Sequence, residues 1–298
     1  MGGLRGYSAI LVASAGFGAS ATLGTLLLTG PGAVNPLAAL VVAHALSALV
    51  FLPFARKVRF RREDARFILL WAVNGAAIAP ALWFLGLAQS TAINAALLAN
   101  MEALWTVAFA YVFLKERVPR RGYLGIAVLL VGALAVTTNF DFGSVQFRQY
   151  LFGNILLILS SLCFGIDNNM SRVLVMKYDR RAIPFYKILI GLAVLAPISL
   201  LLGSSYAFDV EHLFLGAALG LVGVAGVIWF FYIAFHEIGA MRAGAIISTS
   251  ALFGVAIAFA VLPTHPTPTI VQFGGGLLMV AGTFLTSEWT PRFARNRK

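Results

Sequence analysis

The stretch from Ala92 to Leu114 reads AINAALLANMEALWTVAFAYVFL, a nearly continuous apolar run with one acidic residue, Glu102, near its middle. An apolar run of roughly 20 residues is the length that an α-helix needs to cross the hydrocarbon core of a bilayer. A carboxylate at the centre of such a helix costs on the order of 3 kcal/mol unless it is paired, hydrated or protonated. The stretch therefore predicts a membrane helix whose Glu102 faces a polar cavity inside a helical bundle.

The composition of the whole chain is typical of an integral membrane protein. Apolar residues make up 60% of the 298 residues and charged residues only 11%, whereas soluble domains carry about 25% charged residues. The net charge of +11 could suggest a nucleic-acid partner. We exclude that class, because the basic residues fall in short clusters between apolar runs, as they do in cytoplasmic loops. The single cysteine, Cys163, excludes an intrachain disulfide.

Hydropathy predicts ten membrane-spanning helices and no strands, an all-α fold. The predicted spans are about 6–28, 36–54, 66–88, 92–114, 122–139, 150–171, 182–203, 212–235, 240–262 and 269–287. With the N-terminus inside the cell, 20 of the 22 lysines and arginines fall in cytoplasmic segments. This distribution predicts an even number of spans with both termini in the cytoplasm, in a multi-pass protein of the inner (plasma) membrane.

The two halves of the chain resemble each other. Phe84–Trp105 aligns with Tyr232–Phe253 at a shift of 148 residues, and a shift of 150 places Gly125 and Gly132 on Gly275 and Gly282. Five helices is an odd number, so the second copy is expected to be inverted in the membrane. We predict a first repeat over residues 1–141, a second over 149–288 and a basic cytoplasmic tail over 289–298. Inverted repeats place a substrate site near the bilayer midplane, between the halves.

These features resemble the drug/metabolite transporters of the EamA type. The resemblance rests on the junction Ala88–Ala92, the following helix with its central Glu102, Glu116 just past its end, and the Gly125–Gly132 spacing. It covers essentially the whole chain. It implies ten helices, alternating access and export of small metabolites such as amino acids. In the family a proline commonly follows the central acid, whereas Ala103 stands here.

Several polar residues lie inside predicted membrane helices and are candidates for the site. Glu102 is expected to titrate protons or to bind a cationic group of the substrate, the alternative being a protonated side chain that bonds a neighbouring helix. Asp167 and Lys187 are expected to pair, because each would otherwise be an unpaired charge in a low dielectric; the pair could be purely structural. His44 could relay protons or only pack.

The remaining candidates are expected to bind substrate from the cavity walls. Asn168 follows Asp167 in a polar stripe, Asn74 lies well inside a helix, and Ser250 stands at the position of Glu102 in the second repeat. Trp229 and Tyr232 could stack on a substrate, although core or lipid-facing packing is the commoner role of such residues.

The sequence thus predicts a secondary transporter that exports a small metabolite, most simply an amino acid, and leaves proton antiport open. Its expected partners are the small-molecule substrate, the lipid bilayer and, under antiport, protons. The alternative is a passive pore, a lipid-handling protein or a membrane scaffold. An enzyme is not expected, because no Gly-x-Ser-x-Gly motif occurs and the four histidines, at 44, 212, 236 and 265, are dispersed. No metal site and no cofactor are predicted.

Overall fold

The computed structural model describes residues 2–30, 32–55, 58–114, 120–138, 140, 145–238, 243, 246–247, 249–262 and 269–286. Within these ranges every regular element is helical. The predicted basic tail, 289–298, lies outside the described residues.

The helices of the N-terminal half include one short π-helical insertion, called here the first π segment (Asn74–Ile78). The α-helices of this half are α1 (Gly2–Leu28), α2 (Pro36–Phe51), α3 (Ala65–Val73), α4 (Ala79–Leu87), α5 (Ala92–Leu98), α6 (Met101–Leu114) and α7 (Arg120–Thr138). Two 3₁₀ turns, Leu52–Phe54 and Arg62–Asp64, flank the α2–α3 loop.

The C-terminal half contains a second π segment (Leu219–Gly226) between two α-helices. The α-helices of this half are α8 (Val145–Lys177), α9 (Ile183–Leu201), α10 (Val210–Ala218), α11 (Val227–Ile238), α12 (Ser250–Val261) and α13 (Ile270–Thr286).

Six helical stretches among the described residues are long and apolar enough to cross a membrane. They are Leu4–Leu28, Pro36–Phe54, Arg62–Leu87, Gln149–Lys177, Ile183–Leu201 and Val210–Ile238. The ends of each stretch agree with those of a predicted span to within a few residues. The largest difference is at the sixth predicted span, 150–171, because α8 extends beyond it at both ends. The all-helical class is therefore confirmed, whereas the count of ten spans and the position of the termini stay predictions.

Side-chain caps fix where several helices begin. Asn35 accepts hydrogen bonds from the backbone N–H groups of Leu37 and Ala38 at the start of α2, at 2.9 and 3.3 Å. Thr91 accepts one from Asn94 at 3.0 Å at the start of α5. These oxygens satisfy N–H groups that have no partner within the helix.

The fourth span is not one continuous helix, and the prediction of a single helix over 92–114 was wrong. α5 ends at Leu98 and α6 begins at Met101. Between them the backbone tightens, because Asn100 N–H bonds to the Leu97 carbonyl and Glu102 N–H to the Ala99 carbonyl, both three residues back. Glu102 consequently lies in the first turn of α6 rather than at the centre of a long helix.

The same irregularities recur in the second half. Thr249 N–H bonds to the Ile246 carbonyl and Leu252 N–H to the Thr249 carbonyl, so a 3₁₀ turn precedes α12 as one precedes α6. The two π segments also correspond, because residues 74–78 shifted by 148 fall on 222–226. π insertions are rare and occur mostly at functional sites.

The main contacts between the two halves form matching pairs. α1 packs against α11, α12 and the second π segment, and α8 packs against α4, α6 and the first π segment. The second π segment packs on α2, and the first packs on α9. α2 also contacts α9, and α7 contacts α13. The first helix of each half, α1 or α8, therefore packs against helices of the other half.

Glycines allow the closest of these approaches. A Cβ added to Gly18 would lie 2.6 Å from the Ser250 carbonyl oxygen, and one added to Gly165 would lie 2.5 Å from Trp105 Cβ. A Cβ on Gly132 would lie 2.5 Å from the Gly275 carbonyl oxygen on α13. Small residues at helix interfaces let backbones approach in lipid, where packing replaces the hydrophobic driving force.

We predict that Gly132→Ala destabilises the α7–α13 interface. The new Cβ forces the helices apart, at an expected cost of about 1–3 kcal/mol. Gly274→Ala on α13 is the matched control, because no contact within 4 Å of its added Cβ is found among the described residues. It should be neutral or gain up to about 1 kcal/mol of helix propensity. Thermal unfolding can be followed by modification of Cys163, the chain's only cysteine. Equal melting temperatures for the two variants would contradict this packing.

Candidate functional site

A cavity of about 120 Å³ lies between the two halves of the chain. Side chains from both halves line it, and its polar members carry most of the chemistry that the sequence singled out. These polar residues are His44, Glu102, Asp167, Asn168, Ser171, Lys187 and Tyr232. The apolar walls include Phe17, Phe164 and Phe231.

Asp167 of α8 and Lys187 of α9 form a buried ion pair at one wall. Lys187 Nζ lies 2.6 Å from Asp167 Oδ2, and both residues are at most 5% exposed. The ammonium group also lies 5.2 Å from the centre of the Trp71 ring, within the range of a cation–π contact. The second carboxylate oxygen, Oδ1, is buried and has no hydrogen-bond partner among the described residues.

The first π segment makes room for this pair. A Cβ added to Gly75 would lie 2.0 Å from Asp167 Oδ1 and 2.8 Å from Lys187 Cε, so only glycine fits there. A Cβ added to Gly191, one turn beyond Lys187, would lie 2.5 Å from the Ala76 carbonyl oxygen. Glycines on α9 and on the π segment thus bring the lysine and the aspartate together.

Glu102 belongs to a second cluster, which Asn168, the neighbour of Asp167 on α8, joins to that helix. Asn168 Nδ2 donates to Glu102 Oε1 at 2.6 Å and also lies 3.3 Å from Thr106 Oγ1. Glu102 is buried. Its place in the first turn of α6 is favourable for a negative charge, because the N-terminal N–H groups of a helix carry partial positive charge.

A third set of hydrogen bonds joins three helices beside the ion pair. Trp71 Nε1 donates to Ser171 Oγ at 2.8 Å, and Ser171 Oγ lies 3.4 Å from the Tyr232 hydroxyl. Ser171 is one helical turn from Asp167 on α8, so this chain fixes the aspartate-bearing face of α8 against α3 and α11.

The structure brings six of the nine predicted site residues together around the cavity: His44, Glu102, Asp167, Asn168, Lys187 and Tyr232. The predicted Asp167–Lys187 pair is present. The substrate-binding roles of the other three residues stay predictions. Asn74, Ser250 and Trp229 do not line this cavity in the part of the chain that the structure describes.

Each of these three residues has a packing role. Asn74 donates from Nδ2 to the Cys163 carbonyl at 2.7 Å, which ties the first π segment to α8. Ser250 begins α12, where its carbonyl oxygen lies against Gly18 of α1. Trp229 packs against the rings of Phe51 and Phe54, with ring centroids 6.2 and 4.9 Å away. Helix rotation, which a hydropathy pattern does not fix, decides these positions.

Sequence reasoning missed three contributors to the site. Thr106 and Ser171 each follow a predicted site residue by four positions, Glu102 and Asp167 respectively, and that spacing was available as a signal. Gly75 was not predicted, because its close contact with Asp167 depends on the π insertion, which the sequence did not indicate.

Comparison with known proteins places the chain in a family. The model of the EamA-like transporter family matches residues 4–138 and, a second time, residues 151–288. The chain belongs to the EamA-like transporter family. The predicted resemblance is therefore confirmed, and the chain is a multi-pass membrane protein.

Relatives of this EamA-like protein are bacterial and archaeal. An uncharacterized transporter of Methanothermobacter thermautotrophicus is 30% identical over 95% of this chain and 86% of its own length. The uncharacterized transporter YyaM of Bacillus subtilis is 23% identical over 83% of this chain and 81% of its own length. These names are consistent with a protein that is not an enzyme. A solved crystal structure, 18% identical, covers 94% of this chain and 98% of its own with a TM-score of 0.66, and shares the fold.

We predict that Lys187→Met strongly destabilises the protein and that adding Asp167→Asn restores most of the loss. Removing one partner of a buried ion pair leaves an uncompensated charge and typically costs about 3–5 kcal/mol, whereas replacing both partners by neutral residues can be nearly free. The melting temperatures of the two single variants and the double variant form a double-mutant cycle.

Lys177→Met is the matched control for this cycle. Lys177 pairs with Asp64 at 2.6 Å, but its side chain is 34% exposed, so its loss should cost less than about 1 kcal/mol. If Lys187→Met were as mild as Lys177→Met, the buried pair would not constrain the fold.

Proposed function

We propose that this EamA-like protein is a secondary active transporter that exports small metabolites with both an amino and a carboxylate group, amino acids being the first class to test. The observation that carries the proposal is the cavity of about 120 Å³, in which the Asp167–Lys187 pair and Glu102 meet between the two halves. Ionisable residues inside membrane segments are costly and commonly mark substrate or ion pathways.

The proposed architecture is ten helices in two inverted five-helix repeats, over 1–141 and 149–288, with both termini in the cytoplasm. Three observations support it. The family model matches the chain twice, the π segments and 3₁₀ turns recur about 148 residues apart, and the contacts between the halves form matching pairs. Alternating access would then arise from rocking of one half against the other around the central cavity.

The charges of the cavity complement a zwitterion. An ammonium group could bind Asp167, whose Oδ1 has no partner among the described residues, and a carboxylate could bind Lys187. Such a substrate would exchange the internal ion pair for two new ones, so no charge would be left unpaired in the low dielectric. Pockets for drug-sized ligands span about 300–1,000 Å³, and a cavity of about 120 Å³ suits a much smaller solute.

Counterflow in proteoliposomes tests the proposal. Vesicles are preloaded with unlabelled amino acids, and entry of labelled ones is followed without a pH gradient, with protein-free vesicles as the control. We expect saturable exchange of one class of amino acid. No exchange of any amino acid by folded, correctly inserted protein would reject amino acids as the substrate, and the assay would be repeated with a pH gradient and a wider solute panel.

We further propose that Glu102 couples transport to protons, and predict that Glu102→Gln makes flux independent of pH. Glutamine keeps the size of the side chain and a carbonyl oxygen for Asn168, but it cannot titrate. Flux is measured between pH 5 and 9 for the wild type and the variant. An unchanged pH profile in Glu102→Gln would reject the proton role of Glu102 and would leave the transport proposal intact.

The competing function is that of a passive pore, a lipid-handling protein or a membrane scaffold. The counterflow assay separates these classes as well. A pore gives flux that does not saturate and that runs only down a gradient, whereas a scaffold or a lipid-handling protein gives no solute flux.

A further inference from the structure

Three arginines line a small pocket outside the central cavity. Arg5 of α1 and Arg180 and Arg181 of the α8–α9 loop surround a space of about 30 Å³, together with Trp229, Tyr232 and Ile233 of α11. No ion pair joins any of the three guanidinium groups to the residues that the structure describes. One terminal nitrogen of Arg180 is buried and has no hydrogen-bond partner there. The pocket is therefore rich in unused donors.

An apolar groove begins beside Arg5. It has a volume of about 300 Å³ and lies between α1 and α11, sharing Arg5, Trp229 and Ile233 with the arginine pocket. On α1 its lining residues are Arg5, Ser8, Ala9 and Val12, which share one helical face. At 1.5 Å per residue, this face extends about 10 Å along the helix from the arginine. Val12, at its far end, is half exposed on the surface of the bundle.

We propose that the arginine pocket and this groove together bind one anionic phospholipid. The phosphate would lie between the guanidinium groups, which recognise phosphate oxygens through paired N–H donors. One acyl chain would lie in the groove against Val12 and Phe230. Basic pockets at helix ends beside an apolar surface are the usual setting for anionic headgroups. Two carboxylates lie nearby among the described residues: Glu237, which packs against Gly6, and Asp179, whose Oδ1 accepts the Arg181 backbone N–H at 2.9 Å. Neither forms an ion pair with the three arginines, so the three cations exceed the carboxylates by one.

The site also adjoins the central cavity, because Tyr232 lines both. The carboxylate of a solute that enters the cavity could also bind the arginines, because it presents negatively charged oxygens as a lipid phosphate does. The groove distinguishes the two ligands, because a small solute needs no apolar channel that runs along α1, whereas an acyl chain does. The lipid is therefore the ligand that the whole site fits.

The test is a titration of the purified protein in neutral detergent with phosphatidylglycerol and with phosphatidylcholine of identical acyl chains. Native mass spectrometry counts the bound lipid. We expect one phosphatidylglycerol to bind in preference to phosphatidylcholine. Each arginine near an anionic lipid contributes a factor of about five in affinity, so Arg180→Gln/Arg181→Gln should weaken binding roughly 25-fold. Arg62→Gln, which removes a cation from the α2–α3 loop, should leave it unchanged.

A second pair of variants tests the groove and does not alter the arginines. Val12→Trp fills the groove from its exposed side and should abolish preferential binding, whereas Leu11→Trp, at an equally exposed neighbouring position, should not. Equal binding of the two lipids, or full binding by Arg180→Gln/Arg181→Gln, would overturn the proposal. So would binding of soluble glycerol phosphate or of an amino acid that depends on the arginines and is insensitive to Val12→Trp, because the pocket would then serve solutes.

Discussion

Two opposite charges buried 2.6 Å apart inside a membrane bundle impose the strongest constraint on this structure. Neither Asp167 nor Lys187 can be left alone in a low dielectric, so α8 and α9 must hold them together or a substrate must replace one partner. The first π segment serves this constraint, because a Cβ added to its Gly75 would clash with Asp167 and Lys187, and one added to Gly191 of α9 would clash with its Ala76. A buried pair is weak evidence for stability, which is why we propose a role in substrate binding for this one.

The irregular helical segments lie beside helices of the opposite half. Each half contains a π segment, and α6 and α12 each begin after a 3₁₀ turn. Irregular backbone at membrane depth is tolerated only where protein or an aqueous cavity surrounds it. The first π segment contacts α8 and α9 of the C-terminal half, and the second π segment contacts α1 and α2 of the N-terminal half. The deviations from regular geometry therefore coincide with the surfaces between the halves, which the proposed alternating access would rearrange.

Much of the fold could be predicted from the sequence because the bilayer restricts spanning segments to long apolar helices, and six such helices are present among the described residues. The Asp167–Lys187 contact was predictable for a similar reason, since each charge demanded a partner. The contact between Asn168 and Glu102 was not, because it depends on the rotation of α8 relative to α6. Nor was the helix break before Glu102, since Ala99, Asn100 and Met101 do not interrupt the apolar run.

Trp229 shows why the surroundings of an aromatic residue are hard to predict from sequence. A tryptophan suits a substrate cavity, a protein core and a lipid-facing groove equally well, and only the packing of α11 on α1 and α2 places it beside Phe51 and Arg5. The same packing separates the central cavity, which contains the Asp167–Lys187 pair, from the arginine pocket. One helix, α11, thereby contributes Tyr232 to both sites.

The most direct test of the account is counterflow by the charge-neutral variant Asp167→Asn/Lys187→Met, compared with the wild type at equal amounts of folded, reconstituted protein. This variant removes both charges without leaving either unpaired, so it separates the stability of the bundle from recognition of the substrate. We expect that the variant folds and exchanges no solute that the wild type exchanges. Exchange at the wild-type rate would contradict it, because the ion pair would then be structural alone.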